Sequence, residues 1–496
     1  MTWPRIALMC CAVVIQLGAV GPAATLVGTS VGPEIAAAAL RIDGEELAFM
    51  DLINAYRRTN GAGPLSLSLR LTVASEGHSR DMASRTYFSH ESLDGRTPWE
   101  RMRAAGYRFS APMGENLAVG FNSADTVFEG WKASPGHNRN MLDPDFVTVG
   151  VARVLSPVNS LYYWTTDFGG FDDSVAERLA GLSSAQTAVA ISNEGWADGS
   201  DAVVIARDDH FSDALAGSPL AAYLANRHGA PAPTLLTDRR GLSRDVKEEI
   251  ARLKATHVYL LGGRAALEPR VEADARSIPS VQAVERVWGE TAFGTAQAIR
   301  AEMDEVSRGA GIPGLKTAVI TTGLDFPDAL AIAGPAASKG MPILLVRPFA
   351  AEPEPETLPA LTGIDRVIIV GGPGAVHPDL EVWLNEHGHK VVTRLWGVDE
   401  YETAVDILND GAAIFGFDVS KVLVARGDFF TDALAGGTFA AFGPHPMLLV
   451  RPGSIPEPTK AWILSRVSSI DKTYILGGFM AVKDGVKNGV EALFIN

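Results

Sequence analysis

Phe211-Ser212-Asp213-Ala214-Leu215-Ala216 is followed down the chain by Phe326-Pro327-Asp328-Ala329-Leu330-Ala331 and by Phe430-Thr431-Asp432-Ala433-Leu434-Ala435. This is one motif written three times. Each copy follows an apolar run (202–206, 318–321, 422–425) and precedes another around Leu235-Leu236, Leu344-Leu345 or Leu448-Leu449. A third run then ends in Gly262-Gly263, Gly371-Gly372 or Gly477-Gly478. Strand, helix and strand in that order predict an α/β fold with a mostly parallel sheet. Asp213, Asp328 and Asp432 stand at helix starts, where a carboxylate caps free amides and suits the dipole.

A lead-in recurs as well: Arg178-Leu179-Ala180-Gly181, Arg286-Val287-Trp288-Gly289 and Arg394-Leu395-Trp396-Gly397. The spacing is constant, since 286 − 178 and 394 − 286 both give 108. A period of that length means tandem domains and not a thin solenoid. Gly371-Gly372-Pro373-Gly374 echoes a dinucleotide loop, but Val376-His377 stand where its third glycine belongs. The paired glycines read instead as tight turns after a buried strand.

At 496 residues the chain calls for three or four domains, and 47% hydrophobic residues supply their cores. A formal net charge of −15 excludes general nucleic-acid binding, which wants a basic footprint. Cys10 and Cys11, the two cysteines, lie in an apolar run from Ile6 to Val20 after a lone Arg5. That run and the small residues behind it read as a secretory signal peptide, with a cut at Pro22-Ala23-Ala24 or within 36–39. A membrane anchor and a lipid-modified cysteine are the competing readings. No other stretch is apolar enough to span a bilayer, so the mature chain is expected outside the membrane.

The leading third carries its own pattern. Asp43 with Glu46 opens one helix and Leu69 to Arg85 forms a second, with His78 on the buried stripe of the latter. Thr97-Pro98-Trp99-Glu100 is a capping box with Pro at the first helical position. Val147 to Val154 and Tyr162 to Phe168 read as paired strands. A helix from Ser123 to Ala133 is stopped by Ser134-Pro135-Gly136, which places His137 at a sharp turn. Glu115 lies at a Gly-punctuated corner, and His90 follows Tyr87-Phe88-Ser89 in a loop. Two imidazoles and a carboxylate on three loops form the candidate polar site.

Phe88-Ser89-His90, Gly114-Glu115-Asn116, Trp131 with Ser134-Pro135-Gly136-His137, and Tyr163-Trp164-Thr165-Thr166-Asp167-Phe168-Gly169 resemble the bacterial branch of the CAP (SCP/PR-1-like) superfamily. The resemblance covers about 43–171 and implies an α-β-α sandwich with a shallow cleft. In that family the cleft carries two His and two Glu. His90, Glu115 and His137 match three of them, and Ser134 stands at the position of the second Glu. The three later units resemble cell wall binding repeats of type 2 from exported Gram-positive proteins. That implies non-covalent attachment through an anionic wall polymer, with the repeats packed about a pseudo-threefold axis.

The expected organisation is a signal peptide and leader (1–39), a CAP-like domain (40–171), a linker (172–177) and wall-binding repeats at 178–285, 286–393 and 394–496. Arg207 and Arg426 occupy equivalent strand ends, as do Arg347 and Arg451. Strand carboxyl ends are where α/β sheets bind ligands, so these four are the polymer-binding candidates, against a reading as solvated surface arginines. For the front domain three roles stay open. It is a binding module for a small molecule, lipid or wall fragment. Or it is an acid/base or metal-dependent hydrolase, with His90 and His137 holding zinc or another divalent ion. Or the residues only knit the sandwich together. Without a nucleophile elbow or a mature cysteine, binding ranks ahead of hydrolysis.

Overall fold

Asp43 accepts from the amides of Glu45 and Glu46, while Glu46 reaches back to the Asp43 amide, and this reciprocal cap starts the first helix. The computed structural model describes residues 10–15 and 41–495; the expected signal peptide and leader, apart from 10–15, lies outside the described residues. The chain divides into two compact units: 1–176 together with 484–496, and 177–483.

In the first unit the elements run β1 (Cys10–Ile15), α1 (Gly44–Thr59), β2 (Ser66–Leu67), α2 (Leu69–Arg85), α3 (Pro98–Ala104), β3 (Met113–Val119), α4 (Ala124–Ala133), α5 (Pro135–Leu142), β4 (Thr148–Leu155) and β5 (Tyr162–Gly169). The sheet order is β1-β3-β5-β4-β2, antiparallel except for the β2–β4 pair. Alternation along the strands sends neighbours to opposite faces. Ala118 and Trp164 join Phe49, Val127 and Trp131 of α1 and α4 in one core, and Leu117 and Tyr163 join Met82 of α2 in another. The result is the α-β-α sandwich expected. Arg57, at the end of α1, is buried and donates to the carbonyls of Gly63, Met141, Asp143 and Phe146 at 2.6–3.0 Å. Burial lowers its pKa to about 10, so the four carbonyls hold a cation in the interior.

The second unit contains three four-stranded parallel sheets. In each, three strands come from one repeat and the fourth from the lead-in of another. Ala283–Val287 completes the sheet of the first repeat, Lys390–Leu395 that of the second, and Ala176–Leu179 that of the third. The exchange closes a ring of three. At every joint the amide of the first paired glycine donates to the borrowed strand: Gly262 to Val287, Gly371 to Leu395 and Gly477 to Leu179, at 2.9–3.0 Å. The lead-in arginine answers, with Arg286, Arg394 and Arg178 donating to the carbonyls of those same glycines at 2.8, 3.0 and 2.6 Å. The glycines sit at φ of +95°, +112° and +101°, a backbone that side chains resist. At the centre Phe211, Phe326 and Phe430 form a triangle with ring centroids 5.4–6.2 Å apart.

The motif aspartates do not cap their helices. Phe211, Phe326 and Phe430 take the cap positions without a side-chain bond. Each carboxylate is turned instead toward a threonine of the next repeat around the ring, with Thr403 Oγ1 donating to Asp328 Oδ1 at 2.7 Å. Thr295 serves Asp213 and Thr187 serves Asp432 in the same way. Burial raises the pKa of all three aspartates.

Two further features depart from the sequence reading. Part of the stretch read as a linker is tied down, with Asp172 accepting from Ser66 Oγ and Asp173 pairing with Arg70 at 2.7 Å. The last helix, Asp484–Leu493, falls inside the range expected for the third repeat but belongs to the first unit. There Asp484 pairs with Arg58, Glu491 accepts from the Leu67 amide at 2.8 Å, and Lys487 donates to Ser66 Oγ at 3.0 Å and to Glu491. Ala492 and Ile495 enter the core of α1 and α4. Removing 484–496 is expected to destabilise the first unit by about 3–5 kcal/mol, since Ala492 and Ile495 leave its core and the buried Leu67 amide loses its acceptor. Calorimetry of the full chain and the truncation checks this: one transition moves down while that of the ring stays in place.

Candidate functional site

Glu115 is the hub of the front unit's polar interior. It lies on β3, fully buried, and not at a corner. One carboxylate oxygen meets His90 Nδ1 at 2.6 Å, and the other accepts from Arg101 Nη2 at 2.5 Å. Arg101, from α3, also donates to the carbonyls of His90 and Arg96 and to Ser92 Oγ at 2.8–3.2 Å, fixing the loop that presents His90. Across the sheet Glu115 is in register with Asp167 of β5, which accepts from Ser75 Oγ at 2.9 Å.

Burial alone would raise the Glu115 pKa, but the His90 bond and the Arg101 charge together hold it below the usual carboxylate range. Asp167 is pushed well above its ordinary value, first by burial and then by the Glu115 charge beside it. The two carboxyls are therefore pushed in opposite directions, Glu115 toward its ionised form and Asp167 toward its neutral one. His78, on α2, bonds the Ser89 carbonyl through Nε2 at 2.9 Å, and burial lowers its pKa to about 4. The expected buried histidine is thus satisfied at Nε2 only, Nδ1 being buried without a hydrogen-bond partner. A cavity of about 160 Å³, lined in part by His78, Ser92, Arg96 and Arg101, opens beside the cluster.

The remaining sequence candidates are placed differently. Ser134 separates α4 from α5 and makes no side-chain cap bond. His137 does not stand at an open turn: Pro135 begins α5, and His137 lies in its first turn, buried. Its ring is 6.3 Å from Trp131, and its carbonyl accepts from Asn116 Nδ2 at 3.2 Å. Of the three expected loops, only that of His90 is one.

The residues do not fit the metal site expected of His90 and His137. Glu115, which bonds His90 through one oxygen, already carries the Arg101 guanidinium on the other. No group of three His, Cys, Asp or Glu among the described residues is placed to hold a metal ion. Sequence reasoning missed Arg101 and the role of Asp167. The only signal for Arg101 was its place on a short capped helix.

In the ring, all four candidate arginines have acidic neighbours. Arg207 and Arg426 sit flat against Asp209 and Asp428 through two bonds each, with side chains 21% and 22% exposed. Arg347 and Arg451 are more open, at 56% and 50%, with Glu354 and Asp399 at 3.9 and 3.7 Å. Each lies over an aromatic ring, Arg347 on Phe293 at 4.9 Å and Arg451 on Tyr401 at 4.5 Å.

A three-layered sandwich with a buried carboxylate hub is continued by a closed ring of three α/β repeats. The pattern of the cysteine-rich secretory protein (CAP) family matches residues 50–168, and that of cell wall binding domain 2 (CWB2) matches 178–272, 286–381 and 394–487. The CWB2 matches cover more than half of the chain; it belongs to the cell wall binding domain 2 family, carries a CAP domain ahead of the repeats and is a cell-wall-associated surface protein. The amidase enhancer of Bacillus subtilis is 29% identical over 307 residues, which is 62% of this chain and 38% of that protein. The uncharacterized protein YkwD of Bacillus subtilis is 33% identical over 129 residues, 26% of this chain and 48% of that protein. Cwp6 from Clostridium difficile shares the fold with a TM-score of 0.56 at 20% identity, covering 77% of this chain and 57% of that one. The chain thus spans well under two thirds of the amidase enhancer.

Two substitutions probe the hub. Glu115→Gln leaves Arg101 buried without its counter-charge and is expected to cost about 3–5 kcal/mol in the front unit's stability, read from thermal unfolding. His78 has a folded pKa of about 4 against 6.5 when free. It is neutral in the fold and takes up a proton on unfolding, so its contribution is full above pH 6.5 and is lost as pH falls toward 4. The midpoint difference between wild type and His78→Gln should shrink across that window.

Proposed function

We propose that this is an exported protein that displays its CAP unit on the cell surface while the ring of repeats grips an anionic wall polymer. The observation that carries the reading is the closed ring itself. Three copies complete one another's sheets and so form one body that presents the carboxyl ends of parallel strands, the usual ligand side of such sheets. Within it, Arg347 and Arg451 are the contacts we assign to the polymer's acidic groups, because their carboxylate partners are distant and half of each side chain is open. Arg207 and Arg426 hold the strand ends in shape. Local charge of this kind is compatible with a net charge of −15.

For the CAP unit the reading is a binding module for a small molecule, lipid or wall fragment. The buried hub supports it: Glu115 is shut away from solvent and committed to His90 and Arg101, which leaves the carboxylate as framework.

Sedimentation with purified Gram-positive walls tests the proposal. The full chain should pellet with intact walls and stay in solution when hydrofluoric acid has stripped the phosphodiester-linked polymer. Arg347→Ala with Arg451→Ala should weaken binding several-fold and flatten its salt dependence. Equal binding to stripped walls would remove the polymer from the account.

A further inference from the structure

The three joints of the ring share one plan, yet one of them differs. At the joint between the first and second repeats the Trp288 ring rests on Gly263, with a ring carbon 3.1 Å from where a Cβ would stand. At the next joint Trp396 covers Gly372 in the same way, at 2.8 Å. At the joint between the third and first repeats the lead-in carries Ala180 in place of tryptophan. A Cβ on Gly478 would meet only the Gly181 carbonyl, at 3.2 Å.

A recess of about 580 Å³ opens at this joint. Large apolar side chains stand around it in the open: Leu182 is 99% exposed, Met480 84%, Phe429 43% and Phe479 39%. Their counterparts at the first joint are Glu290, Ala265, His210 and Arg264, and at the second Val398, Gly374, Asp325 and Pro373. Three of the four positions are thus apolar and large here alone. Exposed apolar groups gathered at a concave site mark a place of binding. The polar groups of the recess are fixed: Arg426 is held in plane by Asp428 at 2.7 and 2.9 Å beside the Phe429 ring, and Asp208 accepts from Ser184 Oγ at 2.7 Å. With Arg426 neutralised and Asp208 and Asp209 on the lining, the recess favours a neutral ligand over a phosphate.

We propose that this joint is the seat of a neutral N-acetylated sugar unit of the wall polymer. Its ring C–H face and acetyl methyl lie on the apolar wall, and its hydroxyl and amide groups bond Asp208 and the Arg426 plane. The proposal rests on the reading of the ring as a polymer-binding module and adds that the three joints are unequal: at two the chain's own indole, 49% and 45% exposed, covers the joint glycine, and one is left for the ligand.

The test uses the full chain and two variants that import the sister residues: Ala180→Trp, and Leu182→Glu with Met480→Gly. Binding of the N-acetylglucosamine trisaccharide is measured by saturation-transfer NMR and titration, with maltotriose as comparator, alongside wall sedimentation and thermal unfolding. Wild type should bind the acetylated sugar in preference to maltotriose. Both variants should lose at least tenfold in sugar affinity with unchanged melting. Wall binding with no response to the sugar, or with full sugar affinity in a folded Ala180→Trp, overturns this seat while leaving the polymer reading intact. Sugar binding that Ala180→Trp abolishes, in a chain that does not pellet with walls, upholds the seat and sinks the polymer reading. Binding of a tryptophan-containing peptide that Ala180→Trp abolishes, with no binding of the sugar, assigns the recess to a protein partner and overturns the proposal.

Discussion

The exchange of one strand per repeat is the constraint on which the larger unit depends. A sheet of three parallel strands leaves an unpaired edge, and an unpaired edge invites aggregation or slippage. Here each repeat covers one of its outer strands with the lead-in of another, which becomes the sheet's new outer strand, and the third takes its strand from the start of the first. The glycine amide, the glycine carbonyl and the lead-in arginine supply the same directional bonds at all three joints. The buried aspartate and its threonine add a second link across each. No repeat carries a complete sheet of its own, so the folding unit is the ring.

The front unit is organised by a different interaction, a buried carboxylate with a guanidinium on one oxygen and an imidazole on the other. An ion taken out of water is costly unless its lone pairs are met. Glu115 meets that condition through Arg101 on one oxygen and His90 on the other. The α3 guanidinium fixes the His90 loop and the carboxylate together, and Arg101 and His78 both line the recess beside them.

Much of this was legible in the sequence because it is local. Capping boxes at Asp43 and Thr97, the α2 stripe and the apolar runs before each paired glycine all report short-range geometry. The triplicate motif made the tandem α/β organisation readable as well. What stayed hidden was non-local. The strand 176–179 finds its partner near 472–476, a choice that no window of sequence contains. β3 escaped notice because Gly114-Glu115-Asn116 is polar yet buried, so alternation of apolar residues fails there. Ser134-Pro135 both ends one helix and begins the next, which turned an expected corner at His137 into a first helical turn. Arg101 looked like any basic residue on a short helix until its partner 14 residues away was seen.

The chain leaves the front unit at 176 and returns to it at 484. A domain on a simple tether hangs from one covalent thread, whereas this one hangs from two. A protease that nicks 172–177 thus does not shed the CAP unit from the wall so long as the helix Asp484–Leu493 stays seated; release takes a second cut or the withdrawal of that helix. Tension applied to an anchored molecule is likewise divided between two threads, which lowers the load on each.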